Sequence, residues 1–566
     1  MYKFLLLTVA FLLTVLMSST IAGQTEELEK LSQDYIDVRS SFYPVWATSV
    51  GIFDYDSLLT DYSSERVFQY RNNISKIMQE LRQINIKKLK GDDYINYKLL
   101  LSNIRYDEFI LVKFPFYQHS TALYLNEVLN SLYYLLIDNS RTDEEKAPFL
   151  LARMKQIPYF FEQRWEHQPL MDKIFYEIVL ESTDGGIELI EETAKLLFEV
   201  VPDSSRRIAR YKKEAISNLK NLKMFCAVEI QYAPEKHFIG KENLDYLLKN
   251  IYFLDIDSDS LMNLGWYWYN KANAAMDSIQ AIIDSKQPAD DKEIPFDNSL
   301  TKDDIFQYYQ REINETANFF KNHDIVSIPE NIGKCIPVEM PAFMRSMHRG
   351  IAYQPPAPFS SDQTGYFYVR PIPTLDSAAI AKYSNIIQNK RFKSSVVHEA
   401  FPGHHLQLSI ANNNLSPLRK IQDNTMMSEG WALYCEQMAT EQGLFDNENL
   451  DERWLGVYSG IRFRAVQMIV DCSLADSSMT PDSALVFMNN MLGENTDYFT
   501  SEIKRYCAYP TQALSCLTGK LIILDILEKA RKKEGSSFSL KAFHDRLLAE
   551  GTIPPSLIAK KMSLKK

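Results

Sequence analysis

Apolar residues recur every three or four positions along most of the chain, with polar residues between them. Ile187, Ile190, Ala194 and Leu197 form one such stripe, and Ile208, Tyr211, Ala215, Leu219 and Leu222 form a second. Leu261, Leu264, Trp268 and Ala272 carry the pattern through residues 261–284. This period lines one face of a helix, so each stretch predicts an amphipathic helix that packs its stripe inward. Residues 285–300 (SKQPADDKEIPFDNSL) are polar, hold two prolines and show no period, which predicts a surface connection. A boundary there separates an amino-terminal helical lobe, 24–300, from a second lobe, 301–566. Within the proline-rich stretch 327–375, Gly365-Tyr366-Phe367-Tyr368-Val369 is aromatic and β-branched and predicts a strand closed by Pro371 and Pro373. Placed at a sheet edge, that strand would pair with the backbone of a bound peptide, with Tyr366 in contact. Helical patterning resumes near Ser377. The expected fold is mainly α, with one small β element.

The start of the chain breaks this pattern. Lys3 precedes an apolar run from Phe4 to Met17, followed by small and polar residues to Gly23 and charged sequence from Glu26. The run is shorter than the ~20 apolar residues that span a bilayer, so it reads as a cleavable signal over residues 1–23. The mature protein is then expected to be secreted or periplasmic, with no stable membrane anchor. No cysteine follows the run, so a lipid anchor is not expected. Lysine and arginine number 62 against 73 acidic residues, a net charge of −11 that disfavours nucleic acid as a partner. Six cysteines are present without a CxxC, and either disulfides or buried thiols fit them.

Candidate chemistry concentrates in Val396-Val397-His398-Glu399-Ala400-Phe401-Pro402-Gly403-His404-His405-Leu406-Gln407. A His-Glu pair after an apolar run, with further histidines close by, is how a zinc site with an adjacent general base is written. The usual HExxH places both histidines one helical turn apart. Here position i+4 is Pro402, and His404 and His405 stand at i+6 and i+7. In an ideal helix His405 would sit ~10 Å along the axis from His398, too far for one zinc with bonds of ~2.1 Å. Proline and glycine supply the necessary break, since proline cannot continue the hydrogen-bond ladder and glycine admits backbone forms closed to other residues. Either His404 or His405 is then a candidate second ligand. The third lies in Ser428-Glu429-Gly430-Trp431-Ala432-Leu433-Tyr434-Cys435-Glu436: Glu429, amid apolar neighbours, needs a partner, and Glu436 shares its helical face. Ser428 is the expected amino-terminal cap of this helix, and Gly443 lies near its end.

These blocks, with EIKRYCAYPTQALSCLTGK and AFHDRLLAEGTIPPSLI, resemble the bacterial proteins grouped as domain of unknown function 885. That family in turn resembles helical gluzincin metallopeptidases of the thimet-oligopeptidase and Taq-carboxypeptidase type. The likeness covers roughly residues 340–560. It implies a two-lobed helical body with the site in a deep channel, and a single zinc held by His398, His404 and Glu429. Glu399 would be the general base and Glu436 a supporting carboxylate behind the ligands. Two segments depart from the family pattern. Asp471-Cys472-Ser473-Leu474-Ala475 lacks the usual glycine and histidine, and Cys516 stands where a tyrosine is usual. Arg505 and Tyr506 remain as candidates for a substrate carboxylate and an oxyanion, against the alternative of a buried arginine paired with an acid beside a packed tyrosine.

The expected activity is an exported zinc-dependent peptidase acting on short peptides. The departures open a second reading, a catalytically weak or inactive peptide-binding protein that uses the same channel.

Overall fold

The computed structural model describes residues 23–166, 172–234, 239–286, 301–345, 350–370, 392–446, 449–493 and 498–564. The signal segment, most of the expected connection at 285–300, Pro371, Pro373 and the stretch around Ser377 lie outside the described residues.

The protein is built almost entirely of helices, as the periodicity predicts. In the first half the longer ones are α1 (23–42), α2 (Ser64–Leu81), α3 (Gly91–Glu108), α4 (Thr121–Leu136), α5 (Asp143–Glu166), α6 (Lys173–Val200), α7 (Ser205–Glu229), α8 (Lys241–Asn250) and α9 (Ser258–Ser285). The three stripes read from the sequence fall on α6, α7 and α9. Ile190, Ala194 and Leu197 of α6 and Ile208, Ala215 and Leu219 of α7 are fully buried, and the two helices pack together. α10 (Lys302–Asn322) opens the second half with a capping box in which Thr301 and Asp304 satisfy each other's backbone amides.

The β element is a three-stranded sheet of β1 (Cys335–Glu339), β2 (Ala352–Gln354) and β3 (Gly365–Val369) in the order β1-β3-β2. β3 pairs in parallel with β1, Cys335 opposite Gly365, and antiparallel with β2, Tyr353 opposite Phe367. The strand at 365–369 is therefore present but central, not at an edge. Both sides of its backbone are taken, so it has no ladder to offer a peptide.

The second half continues with α11 (Lys393–Glu399), α12 (His404–Asn412), α13 (Thr425–Glu441), α14 (Leu450–Ala475), α15 (Pro481–Leu492), α16 (Tyr498–Ala508), α17 (Gln512–Glu534), α18 (Leu540–Leu548) and α19 (Pro555–Leu564), beside short helical turns such as Pro417–Lys420. α13 and α17 cross in direct backbone contact at Gly430 and Gly519. A Cβ on Gly519 would lie 1.9 Å from the Met426 carbonyl oxygen, so only glycine permits this approach. α9 packs along α14, with Gly265 against Ile469. One apolar cluster runs from Leu28 and Leu31 through Leu129, Ile190 and Phe343 to Trp431 and Ile558, so the two halves share a core. Among the described residues no helix is long and apolar enough to cross a membrane. All six cysteines are buried free thiols.

Candidate metal centre

The PGHH insertion acts as a break between two helices. α11 stops at Glu399 and α12 restarts at His404, with the cis Phe401–Pro402 peptide and Gly403 between them. Gly403 turns so tightly that a Cβ there would sit 1.8 Å from the His398 carbonyl oxygen, and its N–H donates to the Val397 carbonyl at 3.0 Å. Trp431 of α13 donates its indole N–H to the Pro402 carbonyl at 2.7 Å, which pins the break against the helix that carries Glu429. α13 itself starts one turn earlier than expected. Asn424, not Ser428, is the cap, its side chain accepting from the Met427 N–H; Ser428 lies inside the helix with its hydroxyl turned to the Thr425 carbonyl. Gly443, at φ +85°, follows the carboxyl end as expected.

These turns bring His398, His404 and Glu429 together, one ligand atom from each lying within 4.8 Å of the others. Nε2 of His398 is 3.7 Å from Glu429 Oε2, and Nε2 of His404 is 3.9 Å from Glu429 Oε1. Glu399 Oε2 lies 3.9 Å from the same His404 nitrogen. Behind the cluster, Nδ1–H of His398 donates to Glu436 Oε1 at 2.7 Å, which fixes the ring and leaves Nε2 facing inward.

The electrostatics follow from this crowding. Burial would lower the His398 pKa, but Glu429 and Glu436 overcome it and raise it to about 10. Burial alone would raise Glu429, yet the contact with His398, the neighbouring His404 ring and the charges of His398 and Arg464 hold it well below the carboxylate range. Glu399 is pushed up to about 7, chiefly by burial and by the charge of Glu429. Burial drives His404 down to about 4, so it stays neutral. Its Nδ1 is buried without a hydrogen-bond partner among the described residues, and the Nε2 distances are beyond hydrogen-bond reach. Two imidazoles and one carboxylate around a common point, one imidazole unsatisfied by the protein, fit a divalent metal with a fourth position left open.

His405 is not part of this set. Its ring is fully buried, Nδ1 accepting from the Tyr353 hydroxyl at 2.8 Å and Nε2–H donating to the Gly333 carbonyl at 3.0 Å. Being one residue beyond His404 on α12 turns it away from His398 and ties α12 to the sheet. The residues expected to contact substrate have partners within the protein, though Arg505 lies close enough for its charge to act with that of Glu429. Arg505 donates to Glu502 at 2.5 Å, and the Tyr506 hydroxyl donates to the same oxygen at 2.9 Å while accepting from Gln467. Tyr506 is buried, so the pair is the arginine-acid arrangement and not an exposed oxyanion donor. Tyr366 accepts from Asn139 at 2.5 Å and stacks no ligand residue.

The two departures separate. Ala475 packs in a second apolar cluster with Leu244, Leu261 and Met468. Cys516, by contrast, donates its thiol to Glu429 Oε2 at 3.4 Å, and burial, offset in part by Arg464, raises its pKa to about 12. Asp471 caps the start of α17 by accepting from Thr511 and Leu514 N–H groups. The sequence reading missed Arg464 of α14, whose charge acts on Glu429, Glu436 and Glu399. Its signal was an arginine on the helical face that also carries Ile461, Ala465 and Met468.

No curated protein matches this chain. Two solved structures share its fold. One is a presumed lipoprotein of unknown function from Shewanella oneidensis, 19% identical, covering 95% of this chain and 99% of that one with a TM-score of 0.76. The other is a presumed lipoprotein from Colwellia psychrerythraea, also 19% identical, covering 95% and 98% with a TM-score of 0.74. The model for the bacterial proteins of unknown function DUF885 matches residues 44–562, nearly the whole folded chain, and the protein belongs to that family.

Proposed function

We propose that this protein is an exported zinc-dependent peptidase of gluzincin type, acting on short peptides. The observation that carries the reading is the convergence of His398, His404 and Glu429 with Glu399 beside them, on helices separated in sequence. Those three side chains would hold the ion, and a zinc there would supply a Lewis acid for the scissile carbonyl and an acidified water. Glu399, poised at about 7, takes a proton from the attacking water on Oε2 and returns it to the leaving amine. Glu436 keeps His398 oriented, and the Arg464 charge helps to keep Glu429 and Glu436 ionised. Export rests on the run Phe4–Met17, and the description of both neighbours as lipoproteins agrees with a place in the cell envelope.

One observation favours the weaker-catalyst reading. The tyrosine usual in the family is Cys516 here, and its thiol lies against Glu429, so a phenol donor is missing where charge develops.

Elemental mass spectrometry and a peptide library test the proposal. About one zinc per chain, lost in His398→Ala, and hydrolysis that falls on the order of a hundredfold or more in Glu399→Gln with zinc retained are expected. A Glu399→Gln protein that cleaves as fast as wild type would sink the assignment of the base. Peptide binding without cleavage would turn the protein into the binding form.

A further inference from the structure

One turn before Glu429, the chain borders a cavity of about 510 Å³. Its wall is formed by Asp423–Thr425 ahead of α13, by Tyr509–Gln512 ahead of α17, and by α1 and α3 of the first half. The volume is that of a ligand site. Several aromatic rings line it, and two of them, Tyr106 and Tyr509, are 41% and 49% exposed.

Two charged groups lie on the wall, and they differ in kind. Arg39 is spent within the protein. It ion-pairs with Asp107, donates to the Tyr35 hydroxyl at 3.0 Å and lies 4.6 Å over the Trp46 ring. Asp423 is the opposite case. It is solvent-accessible, and among the described residues none hydrogen-bonds or ion-pairs with its carboxylate. The cavity thus carries one uncompensated negative charge among aromatic faces, the combination that receives an organic cation. Partial desolvation by the surrounding cavity wall, and then the charge of Glu429, raise the Asp423 pKa, and a cation would relieve both.

We propose that this cavity is the substrate's cation subsite: Asp423 receives an ammonium or guanidinium group of a bound peptide, and Tyr106 and Tyr509 flank it. Thr425 of the cavity wall stands one turn, ~6 Å of helix axis, before Glu429, so the cavity borders the same end of α13 that carries the metal centre. The cation is either the peptide's free terminal ammonium or a lysine or arginine side chain. The inference rests on the peptidase reading for its substrate class, but binding alone decides it.

The test is calorimetric titration of the full chain carrying Glu399→Gln, so that nothing is turned over. Three peptides, all amidated at the carboxyl end, are compared: pentaalanine with a free amino end, acetylated Ala-Ala-Lys-Ala-Ala, and acetylated pentaalanine. At least one cationic peptide is expected to bind tenfold or more tightly than the neutral one. Asp423→Asn should abolish the difference, and Asp423→Glu should keep it. Preference for the free amine assigns the terminal ammonium; preference for the lysine peptide assigns the side chain. Equal binding of all three, no binding of any, or a preference that survives Asp423→Asn overturns the proposal. A cation preference, with a zinc-loaded wild-type chain that hydrolyses neither these peptides nor any of the peptide library, would remove the peptidase reading and leave the subsite standing.

Discussion

Glu436 touches no candidate metal position, yet its removal should weaken the site in a way that depends on pH. Its Oε1 accepts Nδ1–H of His398 at 2.7 Å. A hydrogen bond to a charged acceptor contributes about 1.5–3 kcal/mol, or roughly ten- to a hundredfold in zinc affinity, the range observed for carboxylates behind metal-ligating histidines. The same carboxylate also stabilises protonated His398, helping to raise its pKa to about 10, and a proton there competes with the metal. In the wild type, apparent zinc affinity should therefore climb about one decade per pH unit from pH 6 to pH 9. Glu436→Ala weakens intrinsic binding but also lowers the His398 pKa, so the two effects oppose each other. Near pH 6 the proteins should bind zinc almost equally; near pH 9, still below the wild-type His398 pKa, the variant should be about two- to tenfold weaker, the full difference opening only above that pKa. Competition with a chromophoric chelator across this range measures both curves, and circular dichroism checks the fold. A gap that is constant with pH, or no gap at pH 9, would refute the reasoning that Glu436 acts through His398.

Two further perturbations address the scaffold. Gly403→Ala forces a Cβ to within 1.8 Å of the His398 carbonyl oxygen and 2.4 Å of that of Val397, so the break must open and carry His404 away. Zinc content should fall to background with helical content kept; a stoichiometric zinc in this variant would show that the tight turn is not what positions His404. His544, fully buried, accepts from the Tyr434 hydroxyl and donates to the Ile325 carbonyl, each at 2.8 Å, and burial lowers its pKa to about 4. The unfolded chain then binds more protons between about pH 6.5 and 4, so the stabilisation is complete above 6.5 and is lost as pH falls, about 3 kcal/mol in all. His544→Gln keeps a donor and an acceptor without titrating, so its urea midpoints at pH 7.5 and 4.5 should differ less than those of the wild type; an undiminished difference would rule out His544 as the source.

Much of the site was legible because its signals are local. His398-Glu399 after an apolar run, a glycine-proline interruption and Glu429 seven residues before Glu436 are properties of neighbouring positions, and helical spacing turns them into faces. The helix break at Pro402-Gly403 was legible for the same reason. Other features compare positions far apart. His404 and His405 are chemically alike and adjacent; the Gly333 carbonyl and Tyr353 hydroxyl, which claim His405, come from another part of the chain. Arg505 and Tyr506 looked available until Glu502 and Gln467 were seen to occupy them. Asn424 took the cap from Ser428 because the start of a helix depends on which side chain reaches the free amides, and several polar residues in a row can compete.

Sequence alone determined that the chain is helical, because amphipathic period is a property of nearest neighbours. It also determined which residue types are present for metal chemistry. Tertiary structure decided the rest. Gly430 meets Gly519 so that Cys516 faces Glu429, and α9, assigned by order to the first lobe, packs along α14 of the second. A strand that reads as exposed became the centre of its sheet, and an aspartate with no distinguishing neighbours came to line an aromatic cavity. The physical reason is common to all of these. Burial, charge pairing and hydrogen-bond occupancy depend on which distant segments share a volume, and a one-dimensional pattern carries the faces of each element but not the partner each face will meet.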